Sequence, residues 1–164
     1  TAEPVSRWRM EVTERPDGVT VINDAYNANP ESMRAGLAAL AAICGERRRG
    51  WAVLGAMGEL GEAAEQAHTE VGRYAAQLGV AKLLVVGSGA DLDSYRAGYQ
   101  AGRGEESILV PDVAAAVKVL HERLRPGDVV LVKASRAAGL ERVATGLLSR
   151  PDLAGAGVPS GDRR

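Results

Sequence analysis

Trp51-Ala52-Val53-Leu54-Gly55, the segment from Glu62 to Leu78, and Lys82-Leu83-Leu84-Val85-Val86-Gly87 together decide the architecture. The outer two are apolar almost without interruption, which is how strands read when a parallel sheet covers them on both faces. The middle segment is amphipathic at helical spacing and stops at Gly79, a residue suited to ending a helix. Strand, helix and strand in that order make a βαβ crossover, and the same alternation continues in both directions. Downstream come a weaker helix over Leu92 to Ala101, interrupted by Gly98, then a strand at Ser107–Val110 and a helix at Val113–Leu124. The turn Arg125-Pro126-Gly127-Asp128 leads to a strand at Val129–Val132 and a last helix at Leu140–Leu148. Upstream, Met33, Leu37, Leu40 and Ile43 mark a helix from Glu31 to Ile43. Before it, Trp8–Val12 and Val19–Ile22 flank Pro16-Asp17-Gly18, the composition of a hairpin turn. The expected fold is α/β: a three-layer, Rossmann-like sandwich with a mostly parallel sheet of about six strands and one antiparallel strand from the N-terminal hairpin. Residues 1–149 are expected to form this domain, and the Gly-, Pro- and Asp-rich stretch 150–164 a disordered tail.

The chain has 164 residues, 46% of them hydrophobic, which suits one domain with a real core. Its 20 basic and 21 acidic residues leave a net charge of −1, against a nucleic-acid partner that would call for a basic excess. Cys44 is the sole cysteine, so there is no internal disulfide, and with only His68 and His121 beside it a structural zinc site is not expected. The polar start, Thr1 to Arg9, does not resemble a signal peptide, and no apolar run approaches the ~18 residues of a membrane span. A cytoplasmic domain without membrane insertion is expected.

Open parallel sheets bind ligands at the carboxyl ends of their strands, so the loops there matter most. Gly55-Ala56-Met57-Gly58 and Gly87-Ser88-Gly89-Ala90 carry glycines, yet neither completes Gly-x-Gly-x-x-Gly: Met57 and Leu92 stand where glycine is required. None of Lys82, Lys118 or Lys133 follows a glycine, which excludes a P-loop. Any triphosphate cradle must lie outside this chain.

The densest polar cluster is Asn23-Asp24-Ala25-Tyr26-Asn27-Ala28-Asn29-Pro30-Glu31-Ser32-Met33, at the end of a strand and the start of a helix. Asn29 followed by Pro30 is a favoured helix start, which accounts for Asn29 but not for Asp24, Tyr26 and Asn27. The stretch Asp24 to Met33 closely resembles a signature of the Mur ligase family. The resemblance continues in order through Gly55-Ala56-Met57-Gly58-Glu59-Leu60-Gly61, His68, Val71-Gly72, Lys133-Ala134-Ser135-Arg136 and Leu140-Glu141, covering roughly residues 6–149.

The resemblance implies the C-terminal domain of a three-domain ligase of bacterial peptidoglycan synthesis. Such an enzyme uses ATP and Mg2+, bound mainly by a central domain, to join D-Ala-D-Ala to UDP-N-acetylmuramoyl-tripeptide through an acyl phosphate. This domain alone is then expected to be inactive and to work with the N-terminal and central domains. Carried over by motif, Asp24 would accept from the ATP ribose, and Asn27 and Asn29 would lie near the phosphates. Arg7, with Arg9 as the alternative, would offset phosphate charge. Lys133, Ser135 and Arg136 would hold the dipeptide, the two cations pairing with its carboxylate, although Arg136 facing solvent remains the plain alternative. Gly87-Ser88-Gly89 is a further candidate for substrate contact. Rival readings are a stand-alone binding or scaffolding domain and the matching domain of a folylpolyglutamate-type ligase.

Other residues read more simply. His68 suits a buried, satisfied histidine better than a proton-transfer group, and His121 a surface position. Cys44 reads as a small apolar filler. Arg47-Arg48-Arg49 reads as a solvated loop, and Glu62, Glu65 and Glu70 as a solvated helix face. Asn23 and Ala56 stand where the family often has acids, and Ala134 where it has glycine, which alters the freedom of the loop after the last strand.

Overall fold

The computed structural model describes residues 10–149. Its strands are β1 (Glu11–Glu14), β2 (Thr20–Asp24), β3 (Gly50–Leu54), β4 (Lys82–Val86), β5 (Glu106–Val110) and β6 (Val129–Lys133). They form one sheet in the order β1-β2-β6-β3-β4-β5. β1 runs antiparallel to β2, and the other neighbours are parallel, as the apolar strands and opening hairpin imply. The helices are α1 (Pro30–Cys44), α2 (Ala64–Gln77), α3 (Ala90–Ala101), α4 (Val113–Arg123) and α5 (Glu141–Leu148). The first residues of the expected opening strand, Trp8 and Arg9, lie outside the described residues, as does the stretch 150–164.

Two apolar layers hold the sandwich together. On one face Ile22, Ala52, Leu83 and Leu131 pack against Leu37 and Leu40 of α1, Val71 of α2 and Tyr95 of α3. On the other, Val21, Trp51, Leu84 and Val130 pack against Leu120 of α4 and Val143 and Leu147 of α5. With Phe absent, branched aliphatics fill both layers, and burial of such side chains is worth roughly 1.5–3 kcal/mol each. No helix among the described residues is long and apolar enough to cross a membrane.

The glycines that weakened the α3 reading turn out to serve packing. A Cβ on Gly98 would collide with the Thr69 carbonyl of α2, and one on Gly72 with the Tyr95 carbonyl of α3. The two helices therefore meet backbone to backbone, and that contact outweighs glycine's poor helix propensity. Gly79, at φ 81°, ends the α2 segment as expected.

At the amino ends of the strands the arginine run is not simply solvated. Arg47 is exposed, but Arg48 Nε donates to the Gly127 carbonyl at 2.7 Å and its Nη2 to Thr20 Oγ1 at 2.7 Å. Arg49 Nη2 pairs with Asp128 at 2.8 Å, and the same carboxylate accepts from Trp51 Nε1 at 3.1 Å and the Arg125 amide at 3.0 Å. A buried carboxylate has to be satisfied, and Asp128 recruits the arginine to do it. Cys44 is buried against Gly50, as an apolar filler would be. His121 is half-buried rather than on the open surface.

Candidate functional site

Alternation along two adjacent strands builds the site. Ile22 of β2 and Leu131 of β6 face α1, so Asp24 and Lys133, each two residues on, face the same way. Register pairs Asp24 with Lys133 as direct neighbours. Lys133 Nζ donates to Asp24 Oδ2 at 2.9 Å and to the Asn27 carbonyl at 3.0 Å. The two side chains are 2% and 7% exposed. Helix α1 lies directly over them: a Cβ on Gly36 would sit 3.1 Å from Lys133 Cδ and 3.4 Å from Asp24 Oδ2. Glycine at 36 thus makes the room in which the buried pair fits.

Beyond Asp24 the chain bends into α1. Asn29 Oδ1 accepts from the Ser32 amide at 2.8 Å, and the Asn29 amide donates to Ser32 Oγ at 3.0 Å, a reciprocal capping box with Pro30 in the first turn. The Asn29 side-chain oxygen is therefore committed to the helix, while Asn27 is exposed. A cavity of about 250 Å³ opens here, lined by Met10, Asp24, Asn27, Asn29, Ser32 and Lys133. Asp24, Asn27 and Asn29 are thereby brought together around one space. Arg7 lies outside the described residues.

The opposite parity leads to the opposite face. Asn23 lies between Val21 and Ala25, both on the α5 side, and helps line a cavity of about 470 Å³ with Glu11, Tyr26, Arg136, Glu141 and Thr145. The Arg136 guanidinium lies 5.2 Å from the Tyr26 ring centroid, a cation–π contact. Asn23 Oδ1 is buried there with no hydrogen-bond partner among the described residues. Lys133 and Arg136, expected to grip one carboxylate together, thus open onto different cavities. The cause is that β6 runs through Lys133, one residue beyond the expected strand, which places its side chain under α1 rather than in a loop.

The loop after β3 is bolted from below. Tyr95 Oη donates to the Gly55 carbonyl at 2.8 Å, and His68 Nε2 accepts from the Met57 amide at 2.9 Å. A backbone amide can only donate, so Nε2 carries no proton and Nδ1–H donates to the Ala64 carbonyl at 2.6 Å. His68 is fully buried, its ring edge-on to Tyr95 with centroids 4.6 Å apart. Burial, and behind it the Asp91 charge, pushes the Tyr95 hydroxyl well above the ordinary tyrosine range, so it stays a donor. The loop is tied sideways as well: the Ser135 amide donates to the Ala56 carbonyl at 3.0 Å. Ser135 therefore sits beside the β3 loop and lines neither cavity. Gly87-Ser88-Gly89 follows β4, two strands away from β6, and lines neither cavity. Among the described residues no group of three His, Cys, Asp or Glu side chains could hold a metal ion.

Sequence reading missed Gly36, Tyr95 and the Asp24–Lys133 bond. The bond was within reach: placing β2 beside β6 and continuing the inward parity of Ile22 and Leu131 leads to it. The part played by Tyr95 depends on how α3 crosses the sheet and leaves no mark in local pattern.

A mostly parallel sheet covered by helices on both faces, with polar groups gathered at the carboxyl ends of β2, β3 and β6, is a doubly wound α/β domain whose candidate site lies at that edge. The chain belongs to the Mur ligase family: the description "Mur ligase, glutamate ligase domain" matches residues 8–136. It is 52% identical to the UDP-N-acetylmuramoyl-tripeptide–D-alanyl-D-alanine ligase of Mycobacterium tuberculosis, over 90% of this chain and 32% of that protein. The ligase of the same name from Bacillus subtilis is 32% identical, again over 90% of this chain and 32% of the relative. A crystallised MurF ligase of Thermotoga maritima in complex with ADP shares the fold at a TM-score of 0.73 and 32% identity, covering 90% of this chain and 32% of that one. The chain thus spans about a third of the length of the curated relatives it matches.

Proposed function

We propose that this chain is the nucleotide- and dipeptide-positioning domain of a cytoplasmic, ATP-dependent ligase that adds D-Ala-D-Ala to UDP-N-acetylmuramoyl-tripeptide. The observation that carries the reading is the polar bend Asp24–Asn29, opening on a cavity at the carboxyl edge of the sheet and strapped to β6 by Lys133. The naming of the relatives as such ligases and the ADP in the Thermotoga complex support it.

In this reading Asp24 accepts from the ribose of ATP, and Asn27 and the capped amino end of α1 at Asn29 face the phosphates, where the helix dipole favours negative charge. The cavity fits the ribose edge of a nucleotide, because it offers a carboxylate and amides but no glycine-rich cradle. The triphosphate, its Mg2+ and the sugar-linked tripeptide belong to the remainder of the enzyme, with Arg7 approaching from the start of this chain. The tripeptide carboxylate takes the γ-phosphoryl group of ATP, releasing ADP and leaving an acyl phosphate. The dipeptide amine attacks its carbonyl carbon, gives a proton to solvent, and inorganic phosphate departs as the amide forms. Arg136, oriented by Tyr26, and Ser135 hold the dipeptide carboxylate. Lys133 shapes the bend from within and does not reach the dipeptide.

The test is the full-length protein supplied with ATP, Mg2+, UDP-N-acetylmuramoyl-tripeptide and D-Ala-D-Ala. Phosphate release and pentapeptide product should both require the dipeptide, and this chain alone should turn over no ATP. Equal phosphate release with glutamate as the amine, or ligation by the isolated chain, would refute the proposal.

A further inference from the structure

The post-β3 loop carries one charged side chain, the exposed Glu59, and three polar bonds hold its backbone at Gly55, Ala56 and Met57. Tyr95 Oη holds the Gly55 carbonyl, His68 Nε2 holds the Met57 amide, and the Ala56 carbonyl between them holds the Ser135 amide. Ser135 and Arg136 open the loop after β6, so that loop is anchored through the β3 loop to a ring buried under α2 and α3. Gly58 also lies near Ser135: a Cβ added there would come within 3.7 Å of the Ser135 Cβ. The Ser135–Ala56 bond is thus the tie between the two loops. An apolar ring could fill the same space. What it could not do is accept the Met57 N–H, which would then be left buried and unpaired.

We infer that His68, as its Nδ1–H tautomer, is a positioning residue for the dipeptide subsite: by accepting the Met57 amide it sets the β3 loop, and through Ala56 it sets Ser135 and Arg136. It transfers no proton and touches no substrate. The inference rests on the proposed ligase reading, and it predicts an effect confined to one substrate. The Asp24 cavity is held by the Lys133 ammonium and the Asn29–Ser32 cap. The β3 loop meets Lys133 through its backbone alone, the Gly55 amide donating to the Lys133 carbonyl at 3.0 Å as a continuation of the β3–β6 ladder. A change at residue 68 should therefore leave the nucleotide side in place.

The experiment uses the full-length ligase and three proteins: wild type, His68→Phe, which keeps a ring of similar size without the acceptor, and His68→Gln, whose amide oxygen can take the Met57 N–H. Wild-type ligation establishes the underlying reaction; its absence would overturn the ligase reading and the inference with it. Given an active wild type, His68→Phe should raise KM for D-Ala-D-Ala on the order of tenfold, the value of one buried hydrogen bond, with KM for ATP unchanged. His68→Gln should recover most of that loss. An unchanged dipeptide KM in His68→Phe, an equal rise in both KM values, or no recovery in His68→Gln would each overturn the inference. Wild-type chain labelled with 15N adds a measurement independent of any variant. His68 Nε2 should show the signal of an unprotonated ring nitrogen, and the Met57 amide should exchange as slowly as the core of β3. Rapid exchange at Met57 would overturn the inference even if His68→Phe failed to fold.

Discussion

Replacing Lys133 by methionine removes the cation from Asp24 while leaving a side chain of similar length under Gly36. At 2.9 Å and an effective dielectric of about 20, the attraction between the two groups is on the order of 5 kcal/mol. Withdrawing both from water costs several kcal/mol per ion, so the intact pair adds little net stability. Deleting one partner is another matter. The Asp24 carboxylate, 7% exposed, would stay buried without its partner, and the Asn27 carbonyl would lose its donor as well. A loss of about 3–5 kcal/mol follows. With a urea dependence of roughly 2 kcal/mol per molar for a domain of this size, the unfolding midpoint should fall by about 2 M. Adding Asp24→Leu to Lys133→Met removes the stranded charge, and the double variant should regain most of the stability, giving a coupling energy of at least about 2 kcal/mol between the two sites. The measurement is a double-mutant cycle in urea, followed by circular dichroism. If Lys133→Met unfolds within about 0.5 kcal/mol of wild type, the lysine is not committed to Asp24. Its ammonium would then be available to a substrate carboxylate, the role the motif resemblance implied.

Two further outcomes follow from the packing and the charges. Gly98→Ala would stabilise an exposed helix by about 1 kcal/mol, but here the new Cβ meets the Thr69 carbonyl, so overpacking wins and the melting temperature should drop by about 6 °C. A rise on thermal denaturation would show that α2 and α3 do not cross at this glycine. The Arg123 guanidinium, and after it the Lys82 ammonium, hold the Glu106 carboxyl down from 4.5 to about 2. A lowered folded-state value means stability that is present above the ordinary carboxylate range and lost as pH falls from about 4.5 towards 2. Because the Glu106 side chain is 37% exposed, solvent screening leaves about 1 kcal/mol of this. Glu106→Gln should flatten that part of the stability–pH profile, and an unchanged slope between pH 5 and about 2 would remove Glu106 from the account.

The architecture was legible because it rests on local patterns that tertiary packing reinforced. Apolar runs at 51–55 and 82–87 announced parallel strands, and Pro30 after Asn29 announced the start of α1. Reading was weaker where a residue answers to something distant in sequence. Gly98 looked like a flaw in α3 because its reason, the Thr69 carbonyl, lies on another helix. Arg48 and Arg49 looked solvated because the groups that draw them in, Thr20, Gly127 and Asp128, arrive from β2 and from the turn before β6.

The site shows the same limit in a sharper form, because one residue of strand length decided it. Ending β6 at Val132 leaves Lys133, Ser135 and Arg136 as three neighbours on a loop, free to converge on a carboxylate. Extending β6 to Lys133 puts alternation in charge: Lys133 follows Leu131 to the α1 face, where Asp24 follows Ile22. Arg136, past the strand, joins Asn23 and Tyr26 at the other cavity. The motif lists its residues along a line, and a strand folds that line into two faces. As neighbours on adjacent parallel strands, Asp24 and Lys133 form a buried pair, and the lysine holds the bend that leads into α1. The loops after β3 and β6, tied together by the Ser135 amide and the Ala56 carbonyl, lie beyond that pair.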